Sequence, residues 1–513
     1  MGLTDTLVEV LLNNLTSLLI FLIVFLILYR KFKPSPWILP PGPPPKFLVG
    51  NMGLFKPDPD DKIGNLTARK LIDMTKEFGS ETLGIYFGRQ YAVLLHNYDD
   101  IQQVFNSEDF AGRSDSETRE MVLGGLVGIE GPRWKEQRRF ALSTLRDFGL
   151  GKNKLEKMIT SELENLFEVF DGYNGSAFQM KASTLTNAVT NVICSMVFGH
   201  RFVYDDPVLN RMLYLMDENF SVNFKRASLA AFIPGATLLS KCLPGDLFKM
   251  KRLKENMDEI YFNIVKKEYD AHVAKFDPEN IEDFIDAYIA EIKKRKDDPQ
   301  QHWFNEDQLL HVIGDLFQAG TDTTATNIRW LFLQLLHHPE IQKKLLQEIH
   351  DVIGQDRMPS MRDRVLLPYT EAVYTEAQRM CSLTPISLGN CSGRVPIKLG
   401  NYIYPPRTTF HANMYAVHHD PDYWKDPHVF RPERFLDENG KFHLDDHILT
   451  FSTGKRKCLG ESLARMEIFL FSTAILQRYT LELPEGAELP TLKPLPDSST
   501  TGPYPFDVCL LRD

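Results

Sequence analysis

The pattern of apolar and polar positions changes character several times along this chain. From Val10 to Tyr29 twenty residues pass without a charge, rich in Leu, Ile, Phe and Val, which is long enough for a helix to cross a bilayer. Pro34 to Pro45 cannot continue that helix, because proline lacks an amide donor and fixes an extended path, so a stiff spacer is expected there. Leu83 to Phe87 and Tyr91 to Leu95 are β-branched or aromatic runs around Gly88 and predict a hairpin. Nearly everything from Asp99 to Gln378 carries the helical period. Within it, Asn305 with Gln308 three residues later has the form of a capping box, and the helix it opens runs to His338 before Pro339 stops it. At 1.5 Å per residue such a helix is roughly 50 Å long. Pro and Gly return after Thr384, with strand-like pieces near Val395 to Leu399 and near the C-terminus, and an amphipathic helix is expected from Glu461 to Leu476. The fold class is mainly α with small β-sheets (α+β), preceded by a transmembrane anchor helix. The expected division is 1–33 anchor, 34–45 Pro-rich linker and 46–513 one large domain, since no Gly/Ser-rich linker or repeat interrupts the remainder.

The flanks orient the anchor. Asp5 and Glu9 precede it and Arg30, Lys31 and Lys33 follow, so the body belongs on the cytosolic side; a cleaved leader would carry its basic end first. A second apolar stretch, Leu229 to Leu239, lies between helical regions and suits a shallow contact with the same membrane. The formal charge of −10 argues against nucleic acid as the partner of the whole surface. Six cysteines are scattered without a C-x-x-C pair, which fits a reducing compartment and speaks against structural zinc.

The chemistry concentrates in Phe451 to Gly460, which reads F-S-T-G-K-R-K-C-L-G. Gly454 and Gly460 permit close backbone approach to a flat ligand, Phe451 can shield a sulfur, and Arg456 offers charge to an anionic edge. The helix beginning at Glu461 would present amides and its dipole to Cys458, favouring a thiolate able to bind a metal. Haem iron with an axial cysteine is the chemistry this suggests. A second cluster, Ala319-Gly-Thr-Asp-Thr-Thr324, sits inside the long helix. Its glycine and hydroxyls are poor helix formers, and a threonine hydroxyl there can take the carbonyl four residues back. Glu376 and Arg379 share a helical face among apolar neighbours, and Trp134 and Arg138 lie one turn apart, suited to a carboxylate.

Together these segments resemble the cytochrome P450 family over essentially the whole chain. Phe148-Gly-Leu-Gly-Lys152, Leu367-Pro-Tyr-Thr370 and His338-Pro-Glu340 bring it nearest the microsomal family-two-like members. The resemblance implies a haem-thiolate monooxygenase with haem b, its iron held by Cys458, and Arg113, Trp134, Arg138 and Arg456 on the propionates. Thr323 would serve oxygen activation, Asp322 would relay protons from solvent, and Gly320 would leave room over the iron. Glu376, Arg379 and Arg434 would form a buried structural network. Leu316, Ala319, Gly320, Leu383, Leu388 and Thr501 would line the substrate pocket, within segments that include the loop Ser114 to Ile129. It further implies electrons from NADPH through NADPH–cytochrome P450 reductase, cytochrome b5 as an additional partner, docking on Lys135, Arg139, Lys455 and Lys457, and residence in the endoplasmic reticulum membrane. The substrate would be a lipophile such as a steroid, fatty acid, terpenoid or foreign compound. Two positions depart from the family's pattern: Gln318 stands where many relatives carry a small residue, and Asn390 where many carry a propionate-binding His. A haem-thiolate isomerase or dehydratase and a non-enzymatic haem carrier or gas sensor are the alternatives, separated from a monooxygenase by dependence on NADPH and dioxygen.

Overall fold

The computed structural model describes residues 36–47, 49–55, 66–114, 122–148, 153–180, 182–219, 249–297, 303–495 and 500–512, with residues 22, 245 and 246. The expected anchor apart from residue 22 and the apolar stretch from Leu229 to Leu239 lie outside these residues, as do parts of the linker and of the loop from Ser114 to Ile129. Among the described residues no helix is long and apolar enough to cross a membrane. The chain divides into two compact units. The smaller, Met1–Leu39 with Pro396–Pro406, contains the antiparallel pair β5 (Ile397–Leu399) and β6 (Tyr402–Tyr404), to which Ile38 adds a bridge. The larger unit is Pro40–Val395 with Arg407–Asp513.

Its helices include α1 (Tyr98–Asn106), α2 (Gly131–Asp147), α3 (Asn153–Gly172), α4 (Ala182–Val197), α5 (Glu306–His337), α6 (Pro339–Ile353), α7 (Pro368–Cys381) and α8 (Glu461–Arg478). One sheet has the order β1 (Thr82–Phe87), β2 (Gln90–Leu95), β7 (Thr409–Ala412), β4 (Asn390–Cys391); the expected hairpin is β1–β2, with Gly88 in its turn. β2 pairs parallel to β7, so an N-terminal hairpin is joined to a strand more than three hundred residues later. A second sheet joins β3 (Phe178–Met180), β9 (Phe506–Arg512) and β8 (Tyr479–Glu482).

The long helix forms as expected. Asn305 in extended backbone accepts from Gln308 N at 2.8 Å, satisfying one of the free amides at the helix start. The box is only half made, however, because the Gln308 side chain turns to Gly125 O and Arg133 instead of back to Asn305. From Thr324 to Leu336 every residue of α5 is buried, since α4, α6, α7 and α8 pack around it. α8 corrects the amphipathic expectation: Met466 to Gln477 are buried without interruption, which is a helix enclosed on all sides.

Candidate active site

Cys458 sits between a 3-10 turn (Gly454–Arg456) and the start of α8, where Gly460 is the cap residue. The loop is fixed by its own backbone, with Cys458 N donating to Phe451 O at 3.0 Å. Gly454 has φ +75°, and a Cβ there would meet Phe105 O of α1 at 1.9 Å, so only glycine lets the loop lie against that helix. Among the described cysteines Cys458 alone is exposed, and its surface faces a cavity of about 360 Å³. The amide at the helix start acts on the Cys458 thiol in the expected direction, but other influences oppose it. Enclosure by protein raises the thiol pKa, Gly460 N–H lowers it, Glu461 raises it again, and Arg138 and Lys457 lower it, with enclosure the largest influence.

Arg113, Trp134, Arg138 and Arg456 all line this cavity. The Arg456 guanidinium lies 3.8 Å from the centroid of the Trp134 ring, and its Nε and Nη2 donate to Ala111 O and Ile129 O, each at 2.8 Å. Arg138 Nη2 reaches Lys457 O at 2.6 Å, joining α2 to the cysteine loop. Arg113 gives Nε to Val127 O and Nη1 to Gly389 O and Asn390 Oδ1. Its backbone segment is held to β4 by the paired bonds of Gly112 and Cys391, both 3.0 Å, and Glu130 accepts from both Arg113 N and Arg407.

The opposite wall comes from α5. Leu316, Ala319, Gly320 and Thr323 line the cavity, as do Leu383 and Leu388. Thr323 Oγ1 donates to Ala319 O at 2.8 Å, the back-bond expected of this cluster. Two expected members lie elsewhere. Asp322 is outside the lining and accepts from Thr326 Oγ1 at 3.2 Å and Thr500 Oγ1 at 2.9 Å. Thr501 is likewise outside it, because its hydroxyl is shared among Cys381, Ser382 and Leu383 carbonyls and the turn is clamped by Trp330 Nε1 on Thr501 O. Gln318 turns away from the cavity as well, with Nε2 toward Met257 Sδ.

Glu376 and Arg379 are fully buried and joined by two bonds, Nε to Oε2 at 2.7 Å and Nη2 to Oε1 at 2.8 Å; Arg434 Nε adds a third at 3.2 Å. Three residues escaped the sequence reading. His418 O accepts from Arg379 Nη1, while its ring bonds to Ser382 Oγ and takes Leu449 N at 2.9 Å, two residues before Phe451. Asp315, buried on α5, takes Leu126 N and Val127 N on Oδ2 and so pins the loop that carries them; burial pushes its carboxyl up to about 7. Glu467 lines the cavity from α8, and an isolated acid inside the apolar run Met466 to Leu476 was the available signal.

Among the described residues one exposed thiol and three arginines line the same largely apolar cavity, a donor set suited to a planar, anionic metal cofactor. The cytochrome P450 family model matches residues 40–510. Cytochrome P450 2C28 of Mesocricetus auratus is 36% identical over 472 residues, 91% of this chain and 92% of that protein. Cytochrome P450 2J5 of Mus musculus is 36% identical over 466 residues, 90% and 87% of the two chains. Cytochrome P450 2C8 of Homo sapiens is 37% identical over 449 residues, 86% and 88%. The chain belongs to the cytochrome P450 family. It is a monooxygenase of the haem-thiolate type, using haem b and electrons that originate from NADPH. The cavity suits that group: Cys458, three arginines and Trp134 line it, and the buried Asn390 Nδ2 on its wall has no hydrogen-bond partner.

Proposed function

We propose that this chain is a membrane-anchored enzyme that inserts one oxygen atom of dioxygen into a lipophilic small molecule. Cys458 Sγ would hold the iron, and Arg113, Trp134, Arg138 and Arg456 would gather around the haem carboxylates. Haem supplies the dioxygen chemistry when bound, with a strongly donating thiolate favouring O–O cleavage. The chain's own residues set the conditions for it. Because the Thr323 hydroxyl gives its proton to Ala319 O, its lone pairs are left to accept a hydrogen bond from the cavity. Asp322, off the cavity lining, would pass a proton by way of hydroxyls such as Thr326 and Thr500. Leu316, Ala319, Leu383 and Leu388 give the substrate an apolar surround that excludes water.

Electrons would arrive from NADPH–cytochrome P450 reductase, with cytochrome b5 as a further donor, at the basic surface of Lys135, Arg139, Lys455 and Lys457. Part of that charge is already offset, since Lys135 reaches Glu108 at 2.8 Å and Lys457 reaches Glu461 at 2.7 Å. The uncharged span Val10 to Tyr29 with its basic flank supports a single-pass anchor in the endoplasmic reticulum membrane and a cytosolic body.

The observation that carries this reading is that Cys458, the one exposed cysteine among the described residues, lines the same cavity as Thr323. Turnover of a panel of lipophiles, with NADPH, reductase and dioxygen each omitted in turn, tests it. Product formed without dioxygen would point to an isomerase or dehydratase instead.

A further inference from the structure

The basic surface around the cysteine loop carries acids of its own. Glu108 opens a short 3-10 turn (Glu108–Phe110) one residue after α1, and Ser107 Oγ accepts Asp109 N to cap that turn. The turn is anchored, since Phe110 is buried edge-on against Phe410 and Gly112 is paired with Cys391. From there the Glu108 carboxylate meets two lysines on different elements. Lys135 Nζ of α2 lies 2.8 Å from Oε2, and Lys455 Nζ of the cysteine loop lies 4.0 Å from Oε1. The Lys135 bond chiefly holds the Glu108 carboxyl below its ordinary pKa, so the acid is charged at neutral pH. Lys457 is met in the same way by Glu461 at 2.7 Å. Arg139 is exposed and forms no ion pair among the described residues. Three of the four cations expected to receive an electron donor are therefore faced by carboxylates of the chain itself. Glu108, Lys135 and Lys455 are all exposed, and exposed pairs are weak, so an incoming carboxylate can exchange with Glu108 while the fold stays intact.

We propose that Glu108 is an internal competitor for the electron donor: its carboxylate occupies Lys135 and Lys455, and a carboxylate-bearing surface on the reductase binds by displacing it. The inference rests on the reading that Lys135, Arg139, Lys455 and Lys457 form the docking surface. Arg139 is open to the first contact, and exchange at the two lysines follows. In the free enzyme the competitor makes this face less positive, which slows steered association and keeps the complex loose enough to part after an electron has passed. Lys455 stands in the turn whose Gly454 lies against Phe105 O, so Glu108 ties the end of α1, α2 and the cysteine loop together at the place where the donor docks. Glu461 also holds Arg465 at 3.1 Å beside the Cys458 loop, which makes Glu108 the acid to change.

Binding of oxidised reductase to immobilised holoenzyme, followed without NADPH so that no turnover occurs, tests this. Glu108→Gln keeps the size of the side chain and removes its charge. At low salt it should bind the reductase about two- to five-fold more tightly than the wild type, mainly through faster association, and high salt should erase the difference. Haem content and the reduced carbon monoxide spectrum should not change. A mere gain in net charge acts whatever residue stands at 135, whereas a competitor loses most of its effect once its lysine is gone. In a Lys135→Gln background, Glu108→Gln should therefore give no more than about half the gain in binding free energy. Wild-type affinity in Glu108→Gln, or an equal gain with and without Lys135, overturns the inference while Lys135→Gln alone, by weakening binding, leaves the docking surface standing. If Lys135→Gln and Arg139→Gln both bind the reductase as the wild type does, the docking surface lies elsewhere and both readings fall.

Discussion

Asn390 Oδ1 accepts a hydrogen bond from Arg113 Nη1 at 2.7 Å, and because a guanidinium can only donate, the amide must turn Nδ2 away from it. Asn390→Asp keeps the shape and the bond to Arg113 but replaces that N–H donor by an oxygen. Haem should then leave for a scavenging apoprotein several-fold faster than from the wild type. Arg138→Ala should also speed loss, since charge-assisted bonds are about twice as strong as neutral ones. If neither variant releases haem faster, the cationic end of the cavity does not hold the haem carboxylates.

Replacing Cys458 by Ser removes the anionic sulfur. The reduced carbon monoxide complex should lose the haem-thiolate spectrum while the protein still binds some haem. An unchanged spectrum would assign the ligand to another residue.

Thr323→Ala deletes the hydroxyl that back-bonds to Ala319. Substrate affinity should change little, product per NADPH should fall several-fold, and peroxide should account for the difference. Coupling equal to the wild type would leave Thr323 with a purely local part in the helix.

Glu376→Gln leaves the buried Arg379 and Arg434 charges without their counter-ion. The expected loss is about 3–5 kcal/mol of stability, read from denaturant unfolding of the holoenzyme. A loss under ~1 kcal/mol would mean that water reaches these groups after the substitution.

His272 Nε2 meets Asp283 Oδ2 at 2.8 Å, and this bond chiefly raises the imidazole from its ordinary 6.5 to about 9. A raised folded-state pKa gives stability that is full below pH 6.5 and disappears as pH climbs through 9. Unfolding free energy should therefore drop by ~1–2 kcal/mol between pH 6.5 and 9.5 from this pair, the partial exposure of His272 limiting it. Asp283 Oδ1 also caps a helix by accepting Asp286 N, a duty Asn can keep, so Asp283→Asn should flatten the slope without losing the cap.

What could be read from the sequence was what neighbouring residues decide together. The Asn305 cap, the β1–β2 hairpin and the Cys458 loop are each written within about ten residues, and each formed. The Glu376–Arg379 pair needed only a helical spacing. Glu467 and Asp315 were not readable because their partners, Thr324 and Leu126, lie 143 and 189 residues away. His418 joins α7 to Leu449 by tertiary contact alone. Thr501 was expected on the cavity lining and lies off it, since a one-letter pattern gives no direction for a hydroxyl when several carbonyls compete for it.

The parallel pairing of β2 with β7 sets a schedule for the newborn chain. Gln90 Nε2 must wait for Thr409 Oγ1, 319 residues behind it, before their 3.0 Å bond can close. At ~5–20 residues per second of synthesis, that wait is about 15–65 s. Through this interval the hairpin leaves the ribosome with one edge unpaired, open to pairing with another chain. The Gly454 turn, which rests on Phe105 O, arrives later still, so the cavity cannot assume its final form until nearly nine-tenths of the protein has been made.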